Sequence, residues 1–417
     1  MVTLDFPRTY THHAGSPKLH LGGSGRRLSR RLGTLLAAVA ALALLELWWV
    51  YGDGGKRRGE VEWDSRDAEE MLVRLLVRTE DAMERERSVE EIADYADRFI
   101  VLKELDAFSK NLSATFPLMN SSQSLLFRRT LDYQHDELFS RLFPYISRSQ
   151  DRKRSFGELR ARYTRPAAIL IPCGKDQFQY AVHLVATLKH VHKTQLPIQV
   201  AYAGNDDLPS DRRAALRSIH PDVETLDVLN YFDEELVGLR GGGWAIKVFA
   251  ILASEYQQII SMDADAVWFQ DPETVLGEPG YVETGTLFYR DREIFPGPGQ
   301  VHEWWRGIMK GRTPSQEMSK SRWWNDMASR EEMESGVVVF DKRRINVVRG
   351  LVLTGYLNTK PVREPVTYKY TYGDKESFWM VQPIWAYYFA PTWLMILSFR
   401  PSSWAKYHIT STNPSQR

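Results

Sequence analysis

The chain has 417 residues, 43% of them hydrophobic and 26% charged. That is enough apolar content for a packed core, and it excludes wholesale disorder. Lys and Arg number 54 against 53 Asp and Glu, a formal net charge of +1, so no overall basic field exists to hold a nucleic-acid backbone. The single Cys173 excludes an internal disulfide framework and any zinc site built on several cysteines.

Residues 1–31 read as a cytosolic tail that ends in Arg26, Arg27, Arg30 and Arg31. Residues 32–51, LGTLLAAVAALALLELWWVY, are long and apolar enough to span a bilayer as a helix. Trp48, Trp49 and Tyr51 stand where an aromatic belt would sit, and the arginines before the segment point to a type II anchor with the bulk of the chain lumenal. A cleaved signal peptide and a buried helix are the rival readings. Residues 52–164 are expected to form a lumenal linker and a helical stem, an accessory layer or a solvated spacer. Within them Val89, Ile92, Ala96 and Phe99 recur at helical spacing. Asn111-Leu-Ser113 and Asn120-Ser121-Ser122 are glycan acceptors if this region is lumenal.

From residue 165 strand and helix patterns alternate. Ala167–Ile171 is an apolar run closed by Pro172, Cys173 and Gly174, and a helical pattern through Tyr180, Leu184 and Leu188 follows. Ile198–Tyr202 predicts a second strand, Val223–Val228 a third and Gln257–Met262 a fourth. Helices are expected after Pro209 and over Ala245–Tyr256. The alternation predicts an α/β fold with a mostly parallel, Rossmann-like sheet and flanking helices over residues 165–400, followed by an unpatterned tail, 401–417. Such sheets bind ligands beyond the C-terminal ends of their strands. That rule points to Cys173-Gly174, Gly204-Asn205 and, above all, Asp263.

Asp263-Ala264-Asp265 leaves the fourth strand directly. Two hard carboxylates at this place suit Mg2+ or Mn2+ shared with a substrate phosphate. Two chemistries use the arrangement. A metal can neutralise the diphosphate leaving group of a nucleotide sugar, or Asp263 can act as the nucleophile of a haloacid-dehalogenase-like phosphatase. In the second fold the motif strand opens the domain, whereas about 95 residues of strand and helix precede it here, which favours the transferase.

Four blocks carry a more specific signal: Gly243-Trp244-Ala245-Ile246-Lys247, Ser261-Met262-Asp263-Ala264-Asp265, Glu334-Ser335-Gly336-Val337-Val338 and Gly373-Asp374-Lys375-Glu376-Ser377-Phe378-Trp379. In content and order they resemble the fungal Golgi alpha-1,3-mannosyltransferase family. The resemblance implies a GT-A fold, a Golgi type II membrane anchor, a GDP-mannose donor, Mn2+ dependence, retention of configuration and a mannose-containing glycan or glycoprotein acceptor. It implies that Asp263 and Asp265 hold Mn2+ and the donor diphosphate, and that Lys247 faces nucleotide or phosphate unless it is simply a solvated helical lysine. Glu334 and Ser335 would contact sugar or acceptor. Asp374 and Glu376 would stand before an acceptor wall of Phe378 and Trp379. Any one of Glu334, Asp374 and Glu376 could steady oxocarbenium character on the reacting sugar, and Asp265 joins them as a catalytic candidate. Trp323 and Trp324 are candidates for stacking on sugar. The family pattern continues beyond the Gly-Asp-Lys-Glu block with further segments that this sequence does not match. That departure suggests a non-catalytic lumenal protein on the same fold as one alternative, and a transferase of another nucleotide sugar is the other.

Overall fold

The computed structural model describes residues 65–85, 92–115, 121–148, 153–240, 243–291, 295–314, 318–319, 321–385 and 396–397. The apolar segment 32–51, Asn120 and the tail 401–417 lie outside the described residues. Among the described residues no helix is long and apolar enough to cross a membrane. The chain divides into two compact units, Met1–Leu76 and Val77–Arg417. The described part of the first is the opening of the helix Ser65–Glu84, where Arg74 pairs with Glu70 one turn away on the exposed face, a contact of little energetic weight.

The second unit is mixed α/β. Its strands are β1 (Arg165–Pro172), β2 (Ile198–Tyr202), β3 (Val223–Asp227), β4 (Tyr256–Met262), β5 (Thr286–Arg290), β6 (Met333–Asp341) and the two-residue β7 (Ile396–Leu397). They lie in the order β3-β2-β1-β4-β6-β5-β7. β1 pairs in parallel with β2 and β4, and β2 in parallel with β3. The helices Phe178–Ala186, Ser210–Ile219 and Ile246–Ala253 occupy the intervals between these four strands, as parallel pairing requires. β6 runs antiparallel to both β4 and β5, so the sheet is mostly parallel with one reversed strand inside it. Apolar residues from adjacent strands, among them Ile169, Ile171, Val200, Ile260, Met262 and Val339, fill the core beneath the helices.

The helix Ile246–Ala253, IKVFAILA, is apolar on every face but for one lysine, and all eight residues are buried. A helix hydrophobic all round belongs inside a protein, which obliges the lysine to find a partner there.

The helices Ile92–Thr115 and Ser121–Leu142 and the helical turn Pro144–Ile146 form a layer packed on the sheet domain, and this corrects the solvated-spacer reading of that stretch. The helix Ile345–Leu357 receives it. Tyr95 stacks on Tyr356 with ring centroids 3.8 Å apart, Arg349 pairs with Asp106 at 2.7 Å, and the Tyr145 hydroxyl donates to the Val352 carbonyl. Gly355 permits the last contact, since a Cβ there would lie 2.4 Å from the Tyr145 hydroxyl oxygen.

Candidate active site

β4 ends at Met262, paired with Val337 of β6, and the backbone N–H of Asp263 donates to the Gly336 carbonyl at 2.8 Å. The turn that follows is closed by the Ala266 N–H to the Asp263 carbonyl at 3.0 Å. Ala264 and Ala266 go into the core, while Asp263 and Asp265 stay half-buried at the surface. Each small apolar residue thus anchors the turn and leaves its acidic neighbour facing outward.

Lys247 approaches from the buried helix. Its Nζ lies 2.8 Å from Asp263 Oδ1 and donates to the Ser335 carbonyl at 2.7 Å. The side chain of Lys247 is 7% exposed and that of Asp263 37%, so the pair is buried at its cationic end and open at its acidic end. The solvated-lysine reading is thereby corrected. Two of the three ammonium donors are already committed, and Lys247 acts as the internal counterion of Asp263. Burial alone would lower its pKa, but the charges of Asp263, Asp374 and Glu334 and the hydrogen bond to Asp263 together hold it above the ordinary lysine value.

Two more acids complete the cluster. Glu334 is half-buried, and its Oε1 accepts the Gly336 N–H at 2.9 Å. Asp374 is buried, with Oδ2 unpartnered among the described residues. Its carboxyl is pushed up to about 6, mainly by burial and against the pull of Lys247. Asp265 is raised as well, first by desolvation and then by the neighbouring charge of Asp263. Asp263, Asp265, Glu334 and Asp374 therefore surround one ammonium. The charge of Asp263 contributes to raising both Asp265 and Asp374, a repulsion that a cation relieves.

No group of three or more His, Cys, Asp or Glu poised to hold a metal occurs among the described residues. The donor set fits a hard divalent ion in the other manner, with one or two carboxylates from the protein and the remaining oxygens from substrate phosphates and water.

Glu376 stands apart from the cluster. It is fully buried. Its carboxylate accepts the backbone N–H groups of Glu332 at 3.2 Å and Met333 at 3.3 Å, together with the Trp379 indole N–H. Burial pushes it up to about 8. Its geometry is that of a brace, which corrects its placement as an open acid facing an acceptor. Phe378 and Trp379, expected as an acceptor wall, are both buried to 1%. Trp323 is also in the core, against His302 and Trp379, and Trp324 is half-buried. Aromatic residues in a chain this apolar are first claimed by packing.

Residues that the sequence reading passed over include Asp291 and Glu331, both buried and both in contact with Lys375. They are 84 and 44 positions from it, too far for any local pattern to join them. The exposed Trp244 and Tyr372 were likewise missed. Each lies inside or beside a motif block, which was the available signal.

A family model described as "Mannosyltransferase putative" matches residues 167–416. Over 231 residues the chain is 27% identical to "Putative alpha-1,3-mannosyltransferase MNN14" of Candida albicans, covering 51% of this chain and 32% of that protein. It is 28% identical over 144 residues to "Alpha-1,3-mannosyltransferase MNN1" of Saccharomyces cerevisiae, covering 30% of this chain and 19% of that one. The chain thus spans about a third or less of the length of these curated relatives. Among solved structures, a WbbM bifunctional glycosyltransferase is similar at a TM-score of 0.35 with 12% identity, covering 78% of this chain and 59% of that one. Mouse xyloside xylosyltransferase 1 is similar at 0.32 with 14% identity, covering 52% and 81%. Likeness at that level carries no argument.

Proposed function

The chain belongs to this mannosyltransferase family, and we propose that it transfers mannose from GDP-mannose to a hydroxyl of a mannose-containing glycan or glycoprotein. The proposed product has an alpha-1,3 linkage with retained configuration, formed on a GT-A-type sheet. The bond from the mannosyl anomeric carbon to the diphosphate breaks, a bond to the acceptor oxygen forms, and GDP leaves. The observation that carries the reading is the placement of Asp263 and Asp265 at the end of β4, with Asp263 fixed from behind by Lys247 and by the β6 backbone.

Asp263 and Asp265 would hold Mn2+, which when bound would offset the charge developing on the departing diphosphate. Lys247 orients Asp263 and offsets its charge. Glu334 and Asp374 are close enough to act on the same ammonium, so a sugar seated there meets carboxylates able to steady positive character at its anomeric carbon. We further propose that residues 32–51 anchor the chain in the Golgi membrane with the catalytic unit lumenal. Asn111, exposed on the helix Ile92–Thr115, would then be open to glycosylation.

The test is a screen of nucleotide sugars and mannosyl acceptors with the purified lumenal part, followed by linkage analysis of the product. GDP-mannose should be the preferred donor, the product alpha-1,3-linked, and a chelator should abolish turnover. Preference for another nucleotide sugar would overturn the donor assignment. Neither transfer nor donor hydrolysis would favour a non-catalytic protein.

A further inference from the structure

Most large aromatic residues of this unit are packed away, with Trp305, Trp323 and Trp379 almost wholly inaccessible. Trp244 and Tyr372 depart from that pattern. They are 56% and 47% exposed, yet their rings meet, with centroids 5.3 Å apart and planes tilted by 34°. Burial accounts for most of the other aromatic residues but not for these two, nor for the exposed Tyr133, Phe269 and Phe295.

The pair is built into the candidate site. Gly373, between Tyr372 and Asp374, has φ +69, a left-handed conformation that favours glycine. A Cβ there would lie 2.5 Å from the Trp244 ring, so the indole rests directly on the Gly373 backbone. The next residue is Asp374. On the other side, the Trp244 carbonyl accepts the backbone N–H of Lys247 at 3.3 Å. The aromatic pair is therefore joined on both sides to residues of the carboxylate cluster, one residue from Asp374 and one helical turn from Lys247.

We propose that Trp244 and Tyr372 form a stacking platform for a pyranose ring of the acceptor glycan. This rests on the transferase reading and gives the site its acceptor-binding element. A pyranose presents an apolar face of C–H groups with hydroxyls around its edge. An exposed aromatic surface covers the face, and carboxylates beside it accept from the hydroxyls. A nucleobase would also stack. The loop that carries Tyr372 is fastened to the β5–β6 part of the sheet, through Lys375 to Asp291 and Glu331 and through Glu376 to the backbone of Glu332 and Met333. In the strand order, β4 with its carboxylates separates β6 and β5 from β1 and β2. The loop that carries the platform is thus held on the β6–β5 side of the carboxylates.

The experiment measures binding and does not depend on turnover. Mannobiose, and separately GDP with MnCl2, are titrated into wild type, Trp244→Ala, Trp244→Phe and Tyr372→Ala, with thermal melts as the folding control. Mannobiose affinity should fall at least about tenfold in Trp244→Ala, the scale of one lost aromatic contact. It should fall less in Tyr372→Ala and stay near wild type in Trp244→Phe. GDP affinity should hold within about twofold in all four, since tenfold is what a lost stacking contact would give. Unchanged mannobiose affinity in Trp244→Ala, or no mannobiose binding by wild type, would overturn the platform. Loss of GDP affinity in Trp244→Ala would assign the rings to the base and also overturn it. A wild type that binds mannobiose through Trp244 but transfers no mannose would refute the transferase reading and leave the platform standing.

Discussion

Residues 374–376 take part in two acidic clusters that differ in what surrounds them. In the first, Asp374 joins Asp263, Asp265 and Glu334 around Lys247, with Asp263 and Asp265 half-buried and one Asp374 oxygen unpartnered. In the second, Lys375 is enclosed by Asp291 and Glu331, Arg290 pairs with Glu332 at 3.2 Å, and Glu376 takes up the backbone N–H groups of Glu332 and Met333. Acids outnumber bases in both. The second cluster spends its charges on one another and holds a loop onto β5 and β6. The first leaves acidic oxygens open at the C-terminal end of β4. Excess charge marks a ligand site where it reaches solvent and a structural clamp where it is sealed.

The largest expected effect that separates them is on folding. Lys375→Met would leave Asp291 and Glu331 buried without their counterion and should cost about 3–5 kcal/mol in urea unfolding. Glu334→Gln, in the open cluster, should cost under about 1 kcal/mol. Equal losses would erase the distinction between clamp and site. Lys247→Met tests the boundary between the two, because its ammonium is buried while Asp263 is partly solvated. A loss of about 1–3 kcal/mol is expected, together with weaker divalent-ion binding from a misaligned Asp263.

The clamp also has a pH signature. Glu376, pushed up to about 8, keeps its proton longer in the folded chain than in the unfolded one, where a glutamate titrates near about 4.3. Its contribution is therefore most favourable below the unfolded value and is lost as pH rises toward the folded one. Glu376→Gln cannot titrate, so its stability relative to wild type should rise between about pH 5 and pH 8. A constant difference across that range would show that Glu376 is ionised throughout. Gly373→Ala should have a smaller effect than Lys375→Met. The left-handed backbone at this position should cost about 1–2 kcal/mol, and the displaced Trp244 should be visible as a change in tryptophan fluorescence.

Much of the fold was legible because its signals are local. Ile198–Tyr202 is an apolar strand interrupted only by Gln199 and followed by Gly204-Asn205-Asp206, and it stands where the pattern placed it. Asp263 and Asp265 could be located because strand-end carboxylates in an alternating α/β pattern have a fixed address. The reversed β6 was not legible, since its apolar run carries no mark of direction. For Lys247 a solvated position was the alternative to a phosphate contact because a lysine in sequence looks solvated, although its neighbours Ile246, Val248 and Phe249 already described a helix with no wet face. The clamp joins Asp291, Glu331 and Lys375 across two strands and a loop, and no spacing rule connects them. Most of the aromatic candidates were residues that the core had claimed, while the exposed Trp244 and Tyr372 lay unnoticed inside and beside the motif blocks.

The central claim is that Asp263 and Asp265 bridge a divalent ion to a donor diphosphate. Calorimetric titration of MnCl2 and GDP-mannose into wild type and Asp265→Asn tests it most directly. The substitution keeps the shape of the half-buried side chain and removes one charge, so the melting temperature should change little. Wild type should bind GDP-mannose in a Mn2+-dependent manner, and Asp265→Asn should lose that dependence, with turnover falling about 100-fold or more. Equal Mn2+-dependent binding by the two proteins would contradict the account.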